Sequence, residues 1–254
     1  MTLRSLTPIG LLALAAISLG DFSYNVQIRQ DAPTFKVTIS GKATGDTTQF
    51  QIPKWAPGSY RYANYAASIK NPMAKVGGSS AAVKQDNETT WSIKAAKGSS
   101  FEFSYEVTAN LKDDIFHYSG PATYMYVMGR KTEPIMLSLD LPKNWKHACG
   151  LDARGKTGYK ADDYDVLADN PVTVGMYQED HYMSNGIPHQ IVYRGIDMNL
   201  VDRQLVIDEC KFVSDSQAAF WNGLPFRKYV WHFGMNPNLD GAGGLEHFSS
   251  TQTG

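Results

Sequence analysis

The stretch Asp21-Phe22-Ser23-Tyr24-Asn25-Val26-Gln27-Ile28, answered by Phe35-Lys36-Val37-Thr38-Ile39, decides the fold. Tyr24, Val26 and Ile28 fall on one face of an extended chain, and Phe35, Val37 and Ile39 repeat the scheme. A period of two with aromatic and β-branched residues marks half-buried strands. The same texture predicts strands over 48–52, 89–95, 100–109, 124–128 and 135–141. Asp31-Ala32-Pro33, Lys97-Gly98 and Leu141-Pro142-Lys143-Asn144 separate them as turns. Many short strands with no helical stretch between them predict a mainly β protein, an antiparallel β-sandwich.

Composition bounds the rest. The 254 residues are 43% hydrophobic and 19% charged, with a formal net charge of −1, which suits one large domain or two modest ones. A near-neutral chain without a Lys/Arg cluster has no field to recruit nucleic acid, so no nucleic-acid partner is expected. Residues 1–20 read as a secretory signal peptide: Arg4 precedes the apolar run Ile9 to Leu19, with Ser18 and Gly20 before a cut ahead of Asp21. The alternative is a retained anchor, but the run is shorter than the ~20 residues that span a bilayer. The expectation is a secreted or periplasmic protein with no stable membrane insertion after cleavage. Cys149 and Cys210 pair in such a compartment or remain free and buried; the sequence leaves both open.

Within the predicted sandwich, Trp55-Ala56-Pro57-Gly58-Ser59-Tyr60 makes a tight turn flanked by Trp55, Tyr60, Tyr62 and Tyr65. It serves as an aromatic plug or as a loop reaching a neighbouring site. Residues 76–82 read as a Gly/Ser loop. Asp162, Asp163, Asp165 and Asp169 faintly resemble a calcium loop, but Leu167 and Thr173 stand where such a loop needs glycine and a carboxylate. They are expected to be a solvated acidic loop, followed by a strand over 172–177.

Beyond Tyr182 to Pro188, read as a polar junction, the texture changes. A short strand over 190–194 precedes one long helical stretch, Met198 to Trp221, with Val201, Leu205, Cys210, Val213 and Phe220 on its apolar face. Asn222-Gly223 and Pro225 stop it. A strand over 229–233 and the loop at Asn236-Pro237-Asn238 lead to Gly241-Ala242-Gly243-Gly244-Leu245-Glu246-His247. The tail reads β-α-β-loop-β, which divides the chain into 21–180 and 181–254.

Candidate chemistry is sparse. His181 and His189 are the closest histidines, eight apart, and no pair sits at helical zinc-ligand spacing. A G-x-S-x-G elbow is absent, and Gly241-Ala242-Gly243 lacks the further glycine of a dinucleotide fingerprint, since Glu246 stands there. Asp113-Asp114 and Glu179-Asp180 lie in turn-like contexts and are expected to be solvated. There remain Gly243 and Gly244, which let another backbone approach, and Glu246, which could meet a peptide's terminal ammonium. On residue logic alone, an ordinary glycine-rich turn with an exposed glutamate is the favoured explanation of the stretch.

The run Gly243-Gly244-Leu245-Glu246-His247, with Ser250-Thr251 behind it, resembles a signature of the glycyl aminopeptidase family of zinc peptidases, metallopeptidase family sixty-one. Residues 52–60, Asp169-Asn170-Pro171-Val172 with Gly175, and Gly223-Leu224-Pro225-Phe226 with Tyr229 agree with it in order. The resemblance implies a β-sandwich N-terminal domain followed by a partial, α+β, thermolysin-like catalytic domain. It implies peptides with a free N-terminus as partners, Glu246 as the acid that holds their amine, and Gly243 and Gly244 as the strand that pairs with their backbone. It implies zinc for the full-length enzyme. The family's H-E-x-x-H helix follows the Gly-Gly-Leu-Glu-His strand and has no counterpart here. The expectation is therefore the N-terminal portion of a zinc aminopeptidase, with no metal ligand or catalytic residue of its own and inactive alone. The alternative is a non-catalytic peptide-binding module or a non-functional fragment.

Overall fold

The computed structural model describes residues 22–59, 61–109, 114–235 and 243–253. The expected signal segment, Tyr60, Asp113, residues 236–238, Gly241 and Ala242 lie outside them.

In chain order the strands of the first part are β1 (Phe22–Gln27), β2 (Thr34–Lys42), β3 (Thr47–Gln51), β4 (Ile69–Val76), β5 (Ser79–Ala81), β6 (Val83–Asn87), β7 (Thr90–Lys94), β8 (Ser100–Thr108), β9 (Ile115–Tyr118), β10 (Tyr126–Val127), β11 (Ile135–Asp140), β12 (Lys146–Cys149), β13 (Asp152–Arg154) and β14 (Gly158–Ala161). There follow α1 (Tyr164–Ala168), β15 (Val172–Gly175), β16 (Gln178–Ser184), β17 (Ile187–Arg194), α2 (Arg203–Trp221), β18 (Tyr229–Gly234), β19 (Gly244–Glu246) and β20 (Ser250–Thr253). The chain is mainly β, as its alternation predicts.

An eight-stranded sheet, β13-β14-β11-β1-β2-β8-β4-β5, faces a four-stranded one, β10-β3-β7-β6. The alternating residues of β1 and β2 are buried between them. Phe50 of β3 stacks on Phe103 of β8 with centroids 4.0 Å apart, and meets Phe101 edge-on at 5.5 Å. Burying each such ring contributes about 1.5–3 kcal/mol. Core tyrosines have their hydroxyls satisfied: Tyr24 donates to Met125 O, Tyr105 to Thr123 O and Tyr164 to Tyr124 O, at 2.7–2.8 Å. One expectation needs correction, since the packing is not purely antiparallel: β1 runs parallel to β11.

Other local readings change too. Residues 76–82 form the β4–β5 hairpin, turning at Gly77-Gly78 with positive φ at both, rather than an open loop. The acidic loop contains α1, because the Asp163 side chain accepts from Val166 N–H and caps one helical turn. The junction over 182–188 is a hairpin, β16 to β17, turning at Asn185-Gly186.

A three-stranded sheet, β12-β15-β9, is shared between two cores. Val172 and Val174 of β15 belong to the main core, while Thr173 between them faces the other way. That other side is a five-stranded sheet, β16-β17-β18-β20-β19. In it β17, β18 and β20 are parallel, α2 is the crossover from β17 to β18, and β19 returns antiparallel at the edge.

Asp202 caps α2 by accepting from Leu205 N–H at 3.0 Å, and Asn222 ends it in the left-handed conformation. Its packed face is the expected one only in part: Val201 and Cys210 pack inward, together with Val206 and Ile207. Cys210, Ser214 and Ala218 are buried, four residues apart, whereas Leu205, Val213 and Phe220 are exposed. Small side chains let the helix close on the hairpin below, where Tyr182 bonds both Cys210 O and Ser214 Oγ. Cys149 and Cys210 are both free and buried. Among the described residues no helix is long and apolar enough to cross a membrane.

Candidate functional site

The alternation of the five-stranded sheet gives it two different faces. Val192 and Val230 pack with Ala148 and Tyr177 against the three-stranded sheet. Ile191, Tyr193, Trp231 and Phe233 pack with α2 on the opposite side. The register carries this division to the edge. Trp231 pairs with Thr251 and Thr251 with Glu246, so Glu246 shares the α2 face; His232 pairs with Gln252 and Gln252 with Leu245, so Leu245 shares the sandwich face.

Leu245 is the anchor. Gly58, at the tip of the Trp55 loop with φ +77°, lies so close that a Cβ there would sit 2.1 Å from Leu245 Cδ1. The loop therefore reaches the β19 edge, the second of the two roles open to it. Asp169 holds the next two residues: His247 Nδ1 donates to Oδ1 at 2.9 Å and Phe248 N–H to Oδ2 at 2.9 Å. Ser249 Oγ then donates to Asn170 Oδ1 at 2.8 Å. His247 N–H closes the β19–β20 turn on Ser250 O at 2.8 Å. This short hairpin cannot be stable alone, so the sandwich fixes it from both ends.

Glu246 is thereby displayed on the far face, exposed. Its carboxylate acts on Tyr229, whose pKa is pushed up to about 12, first by burial and then by the Glu246 charge. Gly243 is an exposed residue entering β19, and Gly244 is its first residue. A Cβ on Gly244 would meet Gln252 O at 3.6 Å and Thr253 Cγ2 at 3.7 Å, which is ordinary contact. The fold therefore does not demand glycine at 244. The structure places all three sequence-predicted site residues on this one edge strand and its entry.

Behind the strand lies a buried polar seam that the sequence did not reveal. His117 of β9 bonds Gln252 of β20 through Nε2 at 2.7 Å and Thr173 through Nδ1 at 2.8 Å. Thr173 bonds His232 Nδ1 at 2.8 Å. The Thr173 hydroxyl has one proton, so it donates to one imidazole and accepts from the other. Burial, with Arg194 adding repulsion, holds the His117 pKa down to about 3. His232 is pushed well below its usual value by burial, then by His117, Arg194 and His247. Neutral imidazoles here join the sandwich to the sheet. The signal for this seam was only the presence of histidines in strand-like runs.

Glu179 and Asp180, expected to be solvated, lie on β16 in ion pairs: Lys146 Nζ is 3.0 Å from Glu179 Oε1 and Arg203 Nη2 is 2.5 Å from Asp180 Oδ1. Among the described residues no group of three His, Cys, Asp or Glu side chains is placed to hold a metal ion. They do not fit a zinc site.

A sequence profile of the Peptidase M61 N-terminal domain matches residues 23–176, more than half of the chain. No curated protein sequence matches it. Among solved structures, the chain superposes on an aminopeptidase N family protein from Idiomarina loihiensis with a TM-score of 0.83 at 25% identity, covering 91% of this chain and 42% of that one. A mutant M1 zinc metallopeptidase from Deinococcus radiodurans, bound to a Tyr-Ser-Ala substrate, matches with a TM-score of 0.53 at 10% identity, over 92% of this chain and 59% of that one. At that identity the second likeness is one of fold alone. The chain spans less than two thirds of the length of either structure.

Proposed function

This chain belongs to the peptidase M61 family through its N-terminal domain, and on that premise we propose that it is the substrate-holding portion of a secreted aminopeptidase. In this reading the edge of β19 receives an extended peptide by main-chain hydrogen bonds, and Glu246 binds the peptide's free ammonium by a charge-assisted bond. The observation that carries it is the opposed facing of Leu245 and Glu246. Leu245 is pinned to the sandwich at Gly58, while Glu246 is exposed on the other face. Glycine at 244, which the fold does not require, leaves the face beside Glu246 clear for the side chains of a paired peptide.

The Deinococcus protein is a zinc metallopeptidase; on this proposal, zinc serves the bond-breaking half of such an enzyme. The residues described here hold the substrate and do no proton transfer. Export is proposed from the apolar run Ile9 to Leu19. The strand-pairing reading is tested by amide hydrogen exchange with and without a free-amine tripeptide. Slowed exchange confined to the amides of residues 243–246 and their neighbours is the expected result; protection elsewhere, or none, overturns it.

A further inference from the structure

Peptide direction and side-chain facing follow from β19 once its amine-binding residue is set, so what comes next rests on the Glu246 reading. A peptide whose ammonium meets Glu246 and whose backbone then follows β19 must run from Glu246 toward Gly244, antiparallel to the strand. Its first residue lies beside Glu246, its second beside Leu245 and its third beside Gly244. Directly opposed residues in a sheet point to the same face. The second side chain therefore emerges on the sandwich face, where Leu245 meets Gly58.

The sandwich carries a cleft of about 670 Å³ lined by Ile52, Trp55, Pro57, Tyr126, Tyr164 and Asp169 among others. Two of its walls are the elements that grip the hairpin. The Trp55 loop touches Leu245 through Gly58, and Asp169 holds His247 and Phe248. Tyr126 and Tyr164 lie with ring centroids 5.1 Å apart, and Lys131 sits over both rings while paired with Asp165 at 2.6 Å. The cationic contact with the rings is thus already made within the protein. Trp55 remains 48% exposed, with its Nε1–H fixed to Ser59 O at 2.5 Å. An aromatic ring held in place at a half-open cleft is an anchor whose ordering cost is already met.

We propose that the Trp55 cleft of the sandwich is the specificity pocket for the second residue of a bound peptide, and that it selects large apolar or aromatic side chains. The sandwich thereby reads the residue after the one whose amine Glu246 holds.

The test is calorimetric binding of Gly-Phe-Gly, Gly-Gly-Phe, Gly-Gly-Gly and N-acetylated Gly-Phe-Gly to the chain and to Trp55→Ala and Trp55→Phe. The chain is expected to bind Gly-Phe-Gly about tenfold tighter than the other two free peptides, the discrimination one apolar pocket provides. Trp55→Ala is expected to reduce that ratio to near one, and Trp55→Phe, which keeps a ring, to restore part of it. A ratio near one in the unaltered chain, or a tenfold ratio that survives Trp55→Ala, overturns the pocket assignment while the amine reading stands if the acetylated peptide still fails to bind. Equal binding of the acetylated peptide removes the amine reading and this inference with it, as does failure of every peptide to bind.

Discussion

Asp169 accepts from both His247 Nδ1 and the Phe248 amide, each at 2.9 Å, and so ties the turn of the β19–β20 hairpin to the end of the sandwich. Asp169→Ala leaves both donors without their charged acceptor. Hydrogen bonds to charged groups are worth about 1.5–3 kcal/mol, so a loss of stability of at least roughly 2 kcal/mol is expected, read as a lower urea unfolding midpoint. Faster amide exchange in residues 244–253 than in β1 or β2 should accompany it. An unchanged midpoint would mean that the hairpin is held by something else.

Gly58 is needed twice over. Its φ of +77° costs about 1–2 kcal/mol for a residue with a side chain, and a Cβ would overlap Leu245 Cδ1. Gly58→Ala should destabilise by more than the backbone term alone. Leu245→Ala in the same background should recover the overlap part and leave the backbone part. A double-mutant cycle with no coupling would refute the contact.

Gly244→Ala separates fold from function. The added methyl makes ordinary contacts with Gln252 and Thr253, so stability should stay within about 0.5 kcal/mol. Binding of a free-amine peptide should weaken, because the methyl stands on the Glu246 face of the strand, beside the side chain of the peptide's third residue. A variant that is unstable, or that binds unchanged, contradicts the assignment of the edge.

The seam makes stability depend on pH. His117 is held down to about 3 by burial and Arg194, and His232 is depressed by burial, His117, Arg194 and His247. The unfolded chain takes up these protons below about pH 6.5 while the folded one does not. Stability is therefore complete above pH 6.5 and falls as pH drops toward 3. At pH 5 the loss from His117 alone is roughly 2 kcal/mol. His117→Gln should flatten the unfolding midpoint between pH 7 and 5; an equally steep dependence would place the effect elsewhere.

Strands were legible wherever one face is buried and the other wet, as in β1, β2, β8 and β11. β16 was not, because Gln178-Glu179-Asp180-His181 looks solvated until Lys146 and Arg203 close on its carboxylates from distant parts of the chain. The face of α2 is legible only in part: Val201 and Cys210 pack inward, but they do so beside Val206, Ile207 and the small Ser214 and Ala218, while Leu205, Val213 and Phe220 are exposed. Glu246 stood out only through the motif around it. Leu245, Gly58 and Asp169, which aim it, work through contacts between segments far apart in sequence. The His117–Thr173–His232 chain crosses three strands and leaves no local pattern.

The central claim is that Glu246 holds a peptide's free amine. Calorimetric titration of triglycine and its N-acetylated form into the chain and into Glu246→Gln tests it most directly. The account predicts that acetylation and Glu246→Gln each weaken binding about tenfold or more, as expected for loss of a charge-assisted bond, and that their effects do not add. Equal affinity for the free and acetylated peptides, or binding untouched by Glu246→Gln, would contradict it.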